Sequence, residues 1–274
     1  MYTSTDLDKL RQIMAKNPEH TDIFSRFLAS QKEFLSVITH EISNPLTLVY
    51  SSMQLIETEH PEVRSFRHWD AMYQDVLYMM HLLTDLSDYN NSFKLHKNML
   101  DTGTFLKQLA LSFAASAETS NIEFTSRICP ELPPLQADTA KLKEVLINLL
   151  KNAFEAFPAG SAGFVRLDAD TVHTSAAITE INNSANNTGH DTCLRIRIQD
   201  NGCGIPQERL GNIFAPFVTY KSDGTGLGLP ISKRIIEAHG GSIQVDSAPD
   251  AGTLFTILLP LSPVPASDDS CDIV

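Results

Sequence analysis

The sequence contains few cysteines, few basic residues and no long apolar run. Its four cysteines stand apart without Cys-x-x-Cys spacing, which argues against a zinc site and against a disulfide framework. Lys and Arg total 21 against 33 Asp and Glu, for a formal net charge of −12, so the chain lacks the basic surface that nucleic-acid binding requires. No apolar stretch reaches the roughly 18 residues of a membrane span, and the N-terminus has no signal-peptide pattern. We therefore expect a cytoplasmic protein with free thiols, no nucleic-acid partner and no membrane span.

Glycine is absent from the first 100 residues, and all 13 glycines lie in residues 101–262. Since the length allows two domains of ordinary size, this change predicts one domain over residues 23–100 and another over residues 101–262. A short leader helix is expected over residues 1–22. The Pro-, Ser- and Asp-rich residues 263–274 predict a disordered tail.

The first domain has the apolar period of two long helices. One stripe comprises Ile38, Ile42, Leu46, Val49, Met53 and Ile56, and a second comprises Trp69, Tyr73, Val76, Met80 and Leu83. A short connection near Pro61 predicts an antiparallel α-helical hairpin. One hairpin has more apolar edge than it can bury, so a homodimer that forms a four-helix bundle is its natural completion. Packing of these helices on the second domain is the alternative.

The second domain mixes helices with alternating strands. The patterns predict helices over residues 101–117, 138–157 and 231–241, and strands over residues 121–128, 164–170, 193–200, 242–247 and 253–260. The polar residues 171–192 read as a long hairpin loop. Helices interleaved with antiparallel strands predict an α+β sandwich.

Residues 200–206, DNGCGIP, follow a predicted strand directly. A carboxylate followed by Gly202 and Gly204 suits a site where backbone approaches a planar ligand closely. Asp200 could accept a hydrogen bond from the exocyclic amino group of adenine, where guanine presents an acceptor instead. The alternative is a tight turn whose Asp and Asn side chains bond the local backbone.

Residues 224–229, GTGLGL, open a predicted helix. Glycine-rich backbone before a helix N-terminus presents N–H groups to phosphate oxygens. The GxxxxGK[ST] phosphate-binding pattern is absent, and so is the GxGxxG dinucleotide spacing after a strand. A flexible loop without a ligand is the alternative.

Asn148 and Asn152 are four residues apart, so their amides share one face of a helix. Apolar neighbours surround them, and buried amides are costly unless they meet a ligand or a metal. Amide oxygen is a suitable ligand for Mg²⁺. A polar face on a surface helix is the alternative.

Taken together, the clusters NLLKNAFEA, DNGCGIP, FAPF and GTGLGL resemble the ATP-binding domain of sensor histidine kinases. The same Bergerat fold occurs in gyrase, in a heat-shock chaperone and in mismatch-repair ATPases, so these boxes alone imply only ATP. The resemblance implies binding of Mg-ATP, with Mg²⁺ on Asn152, adenine on Asp200 and the γ-phosphate near Lys221. The other implied ATP-binding residues are Asn148, Lys151, Gly202, Gly204, Ile205, Gly224, Thr225, Gly226, Leu227 and Gly228.

The segment FLSVITHEISNPLTLV, residues 34–49, resembles the histidine box of the same kinases. His40 falls off the apolar stripe and should face solvent. The resemblance makes it the phosphoacceptor, with Glu41 as general base. It also implies that Asn44 positions water for dephosphorylation of the regulator. The alternative for Asn44 is to satisfy the Glu41 carbonyl that Pro45 leaves without a donor.

These interpretations predict an α-helical hairpin followed by a Bergerat-fold ATP-binding domain, acting as a histidine kinase. The expected partners are a second copy of the chain, the receiver domain of a response regulator, and a separate sensor protein or a missing sensor domain. Two rival functions stay open. One is a non-catalytic scaffold or phosphotransfer protein, and the other is an ATP-driven conformational machine that does not need His40.

Overall fold

The computed structural model describes residues 18–92, 94–117, 121–158, 160–173, 192–221 and 224–261. Most of the expected leader helix, the whole expected tail and most of the polar loop lie outside these residues. The chain divides into two compact units, Met1–Asn91 and Ser92–Val274. In the described part of the chain, no helix combines the length and apolar character needed to cross a membrane.

The first unit is the predicted helical hairpin. Helix α1 (Pro18–Glu59) runs through Pro45, a 3₁₀ turn follows over Pro61–Ser65, and helix α2 (Trp69–Asn91) returns. The hydroxyls of Tyr50 and Tyr73 lie 3.0 Å apart and join the two helices. All five residues of the predicted α2 stripe are buried or half-buried, as expected.

The apolar stripe predicted on α1 is only partly buried, as expected of a hairpin with more apolar edge than it can cover. Met53 is buried and Leu46 is half-buried, but Ile42 remains 49% exposed. The α1 sequence is apolar over a wider arc than a single neighbouring helix can cover. One exposed row has the seven-residue spacing of a helix–helix seam, and its members are Leu35, Ile42, Val49 and Ile56.

The second unit contains every helix and strand predicted for residues 101–262. Its helices are α3 (Thr102–Ala117), α4 (Thr139–Phe154), α5 (Gln207–Leu210) and α6 (Gly228–Ala238). Its strands are β1 (Asn98–Leu100), β2 (Ile122–Ile128), β3 (Leu135–Ala137), β4 (Gly163–His173), β5 (Thr192–Asp200), β6 (Ser242–Ala248) and β7 (Gly252–Pro260).

Five strands form one sheet in the order β2-β4-β5-β7-β6. Strands β2 and β4 are parallel, and the other neighbours are antiparallel. Alternate side chains of β4 and β5, such as Leu167 and Ile196, are fully buried and form the core with α4 and α6. The opposite face carries charged pairs, including two hydrogen bonds from Arg195 to Asp170 at 2.9 and 2.7 Å. This alternation produces the predicted sandwich of helices on one side of the sheet.

A small second sheet was not predicted. Strands β1 and β3 pair antiparallel, with Asn98 opposite Ala137 and Leu100 opposite Leu135. This pairing attaches the residues after Asn91 to the second unit. The boundary between the units therefore falls between Asn91 and Ser92 rather than at the expected position after residue 100.

Candidate functional site

Helix α4 carries the first cluster of candidate residues. The Asp138 side chain caps its N-terminus by accepting a hydrogen bond from the backbone N–H of Lys141 at 3.1 Å. One face is fully buried and consists of Leu142, Val145, Leu146, Leu149 and Leu150. Asn148 and Asn152 lie beside that face and are half-buried, whereas Lys151 is exposed.

The orientation of the two asparagine amides is set by a hydrogen-bond relay. The Ser232 hydroxyl donates to the Gly228 carbonyl at 2.9 Å, so its oxygen is left to accept. Asn148 Nδ2 donates to that oxygen at 2.9 Å. Asn148 Oδ1 then accepts from Asn152 Nδ2 at 3.4 Å. This direction leaves Asn152 Oδ1, an acceptor, as the outward end of the relay.

A cation lies on that outward oxygen. Lys221 Nζ donates to Asn152 Oδ1 at 2.7 Å and also forms an ion pair with Glu155. The arrangement shows that Asn152 Oδ1 can hold a positive charge, which is the property a Mg²⁺ ligand requires. In the described ranges there is no cluster of three or more His, Cys, Asp or Glu residues for a metal. The donor set therefore fits a Mg²⁺ ion that takes its remaining ligands from phosphates and water, not an all-protein metal cage.

Asp200 ends strand β5 and is 4% exposed. Its Oδ1 accepts hydrogen bonds from the backbone N–H groups of Gly202 at 2.9 Å and Thr253 at 3.2 Å. No described residue forms a hydrogen bond with its Oδ2. Because this atom is not one of the described side-chain atoms that are both fully buried and without a hydrogen-bond partner, it retains solvent-accessible surface. Burial raises the pKa of Asp200, and the two backbone hydrogen bonds partly oppose that rise. The free oxygen is placed to accept a hydrogen bond from a ligand.

The loop after Asp200 is held against α4 and the β6–β7 hairpin. The backbone N–H of Cys203 donates to the Ala156 carbonyl at 3.0 Å, and the Ile205 N–H donates to Ser247 Oγ at 2.8 Å. Gly204 has φ +66°, and a Cβ there would collide with the backbone of Ala248. Gly204 therefore allows the close approach of another backbone segment of the protein, whereas the sequence interpretation expected the close approach of a ligand.

The glycine-rich segment before α6 packs in the same way. Gly226 has φ +70°, and a Cβ there would lie 2.7 Å from the Phe217 carbonyl carbon. A Cβ at Gly228 would lie 2.6 Å from Asn148 Oδ1, so any side chain would disturb the relay. Three more residues complete the segment: Gly224 and Thr225 are half-buried, and Leu227 is fully buried. Within the second unit, the structure thus brings these clusters together around the second half of α4.

His40, Glu41 and Asn44 lie in the first unit, on α1, and all three are exposed. The solvent-facing position expected for His40 is confirmed. Asn44 Nδ2 lies 3.4 Å from His40 Nδ1, and among the described hydrogen bonds the Asn44 amide makes none to the Glu41 carbonyl. The described hydrogen bond of the His40 ring is the one with Asn44, and none is described between His40 and Glu41.

Sequence reasoning missed a second contact between α4 and α6. His239 Nδ1 lies 2.8 Å from the Ile235 carbonyl and donates to it, so Nε2 accepts from the Asp138 backbone N–H at 3.0 Å. Burial lowers the pKa of His239. Burial also acts to raise the pKa of Asp138, but backbone hydrogen bonds, led by the one from His96, outweigh it and lower that pKa. The HGG triplet after an amphipathic helix drew attention to His239 in the sequence, but it gave no sign of Asp138 as the partner.

Glu155 was also missed, although it lies inside the quoted cluster NLLKNAFEA. The only available signal was its position three residues after Asn152, which places both side chains on one side of the helix end.

Known proteins resemble this chain in sequence over both of its units. The family model of histidine kinase-, DNA gyrase B-, and HSP90-like ATPases matches residues 137–263. The signal transduction histidine-protein kinase AtoS of Escherichia coli (strain K12) is 30% identical over 236 residues, which cover 86% of this chain and 36% of AtoS. The sensory histidine kinase/phosphatase NtrB of Azospirillum brasilense is 32% identical over 231 residues, covering 82% of this chain and 54% of NtrB.

A solved structure has a similar fold. Full-length ShkA in complex with AMPPNP matches with a TM-score of 0.65 and 27% identity, over 84% of this chain and 46% of ShkA. The chain thus spans only 36% and 54% of the lengths of AtoS and NtrB. The matches reach beyond the ATPase domain into the histidine-bearing hairpin, and the second unit has the Bergerat fold. Over more than four fifths of its length the chain is therefore similar to sensor histidine kinases of two-component systems, and residues 137–263 match the ATPase family model.

Proposed function

We propose that this chain is an ATP-dependent protein histidine kinase that phosphorylates itself on His40 and passes the phosphoryl group to an aspartate in the receiver domain of a response regulator. One observation carries the proposal. Helix α4 brings a cation-holding amide, a glycine-rich helix start and a buried carboxylate with a free oxygen to one place. ShkA, the structural neighbour, is described with AMPPNP, an analogue of ATP.

Each part of ATP has a matching group in the second unit. The free Oδ2 of Asp200 would accept the adenine amino group, and the N-terminus of α6 at Gly228 would face phosphate oxygens. Asn152 would hold Mg²⁺, and the Lys221 ammonium would meet the γ-phosphate. Bound there, Mg²⁺ supplies neutralisation of the charge that develops on the transferring phosphoryl group.

The reacting nitrogen belongs to His40. In the proposed step, a ring nitrogen forms a bond to the γ-phosphorus while the bond to the ADP oxygen breaks, and Glu41 takes the proton. Because Asn44 contacts Nδ1, the ring is oriented with Nε2 on its outer side. A cytoplasmic location is part of the proposal, since ATP is supplied there.

Incubation with γ-labelled ATP tests this function. The wild-type chain should acquire a label that is lost in acid and kept in base, and His40→Gln should acquire none. ATP affinity of His40→Gln should stay within about threefold of wild type, because the histidine does not hold the ground-state nucleotide. Binding of ATP without any label would favour the conformational machine, and absence of both would favour the scaffold.

A homodimer is the second part of the proposal. The exposed apolar row on α1 has heptad spacing, and two copies of the hairpin would bury it as a four-helix bundle. The remaining proposed partner is a separate sensor protein or a sensor domain, which would supply the input signal.

Dephosphorylation of the regulator is a further proposed activity of the hairpin, with Asn44 as its residue. The Asn44 amide lies next to the His40 ring and is exposed, so it could orient a water molecule toward an aspartyl phosphate docked there, as a glutamine does in GTPases. Asn44→Ala should slow loss of phosphate from the labelled regulator while self-labelling of the kinase continues. Unchanged dephosphorylation by this variant would remove the proposed role.

A further inference from the structure

Lys221, Asn152 and Glu155 form a cluster that we name the ammonium clamp. The Lys221 ammonium donates to Asn152 Oδ1 at 2.7 Å, and its second acceptor is Glu155 Oε2. The lysine side chain is 46% exposed and the glutamate 57%, so solvent and ligands can reach the clamp. An ammonium therefore lies on the same oxygen that we assign to Mg²⁺.

The clamp depends on the relay behind it. Asn152 cannot turn its amide without placing two oxygens against each other, because its Nδ2 faces Asn148 Oδ1. That oxygen is fixed in turn by Ser232. Asn152 thus always presents Oδ1 outward, and this atom attracts any cation that can reach it.

The backbone of Lys221 is also restrained. Thr219 Oγ1 accepts from the Lys221 N–H at 3.2 Å and donates to the Lys221 carbonyl at 3.4 Å. Gly224 packs so closely on Thr219 that a Cβ there would collide with the hydroxyl. The lysine is therefore presented from a folded turn that adjoins the glycine-rich segment.

Two cations cannot share Asn152 Oδ1 at close range. Mg²⁺ binds oxygen at about 2.1 Å, which would place it within a few ångströms of an ammonium bound to the same atom. Their repulsion in a partly desolvated site makes the two states exclusive.

We propose that in the nucleotide-free protein the Lys221 ammonium occupies the Mg²⁺ position on Asn152, with Glu155 as the positioning residue that keeps it there. This inference rests on the proposed binding of Mg-ATP. Binding of the metal–nucleotide is then an exchange of cations. With ATP, the displaced ammonium exchanges its ion pair with Glu155 for an ion pair with the γ-phosphate. ADP has no γ-phosphate, so the displaced ammonium gains nothing. The clamp therefore favours ATP over its product ADP.

Calorimetric titration of the full chain with ADP, in excess Mg²⁺ and again in EDTA, tests the clamp. Lys221→Met should bind Mg-ADP about two- to fivefold more tightly than wild type, the size expected of a half-exposed ion pair. Glu155→Gln should shift Mg-ADP affinity in the same direction by less, since its amide still accepts a hydrogen bond. For Mg-ATP, Lys221→Met should show no gain, because the γ-phosphate contact is lost along with the clamp.

Lys143→Met is the matched control. Lys143 is exposed on α4, so its removal changes the charge of the same helix without touching Asn152, and Mg-ADP affinity should not rise. If Lys221→Met gained as much ADP affinity in EDTA as in Mg²⁺, the gain would come from simple opening of the loop, and cation exchange would be overturned. Unchanged Mg-ADP affinity of Lys221→Met would overturn it as well. Failure of the wild-type chain to bind Mg-ATP would instead count against the proposed function itself.

Discussion

The two units of this chain bury their apolar residues to very different extents. Among the described residues of the helical hairpin, the buried hydrophobic side chains are Met53, Val63 and Val76. In the second unit, helix α4 alone fully buries five large side chains, and the sheet beneath it buries several more. The second unit therefore has a complete core of its own. The hairpin buries few apolar side chains of its own, and in the proposed homodimer a second copy would supply the rest of its core.

This difference has a functional meaning. A domain with a complete core can hold a ligand site whether or not its neighbours are present. A hairpin with an uncovered seam takes its stability from association, so its structure responds to whatever changes that association. The proposed nucleotide site thus lies on the unit with a complete core, and the proposed phosphoacceptor, His40, lies on the hairpin.

The largest expected effect comes from placing a charge in the exposed row of α1. Ile56→Glu should weaken dimerisation at least about a hundredfold, because a two-fold axis introduces the unpaired charge twice. Sedimentation velocity over a range of concentrations measures this change. Thr58→Glu, at another exposed position near the same end of α1, is the control and should remain dimeric. A dimer that tolerates Ile56→Glu would mean that this row is not the seam.

A smaller effect is expected at Asp200, where function and stability should move in opposite directions. Asp200→Asn should lose roughly ten- to a hundredfold in ATP affinity, the usual range for a hydrogen bond to a charged group. Its advantage for ATP over GTP should narrow as well. Calorimetric titration with both nucleotides provides the measurement.

The same substitution should stabilise the nucleotide-free protein at neutral pH. Because the pKa of Asp200 is raised in the folded state, its contribution to stability is present at low pH and is lost as pH rises from about 3.8 through the folded pKa. Asparagine avoids that loss and keeps an oxygen acceptor for Gly202 and Thr253. Asp200→Ala has no acceptor and should be less stable than wild type. Chemical denaturation at pH 7 would contradict this account if Asp200→Asn unfolded more easily than wild type.

The smallest expected effect concerns His239. Its pKa is lowered in the folded state, so the unfolded chain binds the proton more tightly, and stability should fall as pH drops below about 6.5 toward the folded pKa. The loss should appear in the unfolding of the second unit only, because His239 is buried there. His239→Gln should remove this pH dependence, whereas His81→Gln, at an exposed position on α2, should leave it. A transition of the second unit that is flat between pH 7 and 5 would contradict the prediction.

The sequence predicted those elements that are long enough to show a period. Helices α4 and α6 and the five strands of the main sheet all repeat their apolar positions several times. Strands β1 and β3 have three residues each and therefore no period. The partition of the α1 stripe into two faces depends on which helix lies alongside, and a one-dimensional pattern does not contain that information.

The candidate site shows the same limit. Asn152 and Asp200 could be selected because each lies in a compact motif. The partnership of Lys221 with Glu155 spans 66 positions of the chain, and that of His239 with Asp138 spans 101. Nothing local to either residue indicates the other, since the fold alone brings them together.

The hydrogen-bond relay from the Gly228 carbonyl through Ser232 and Asn148 determines which atom of Asn152 faces outward. Whether its outer end attracts a cation or an anion is decided at the other end, by a backbone carbonyl that fixes the Ser232 proton. Replacing Ser232 with a residue that only donates would turn the Asn148 amide and then the Asn152 amide around. The surface at Asn152 would then present N–H groups, although its own residues are unchanged. A protein engineer who wished to convert this surface from the proposed Mg²⁺ site to an anion site would therefore begin at Ser232, two side chains behind Asn152.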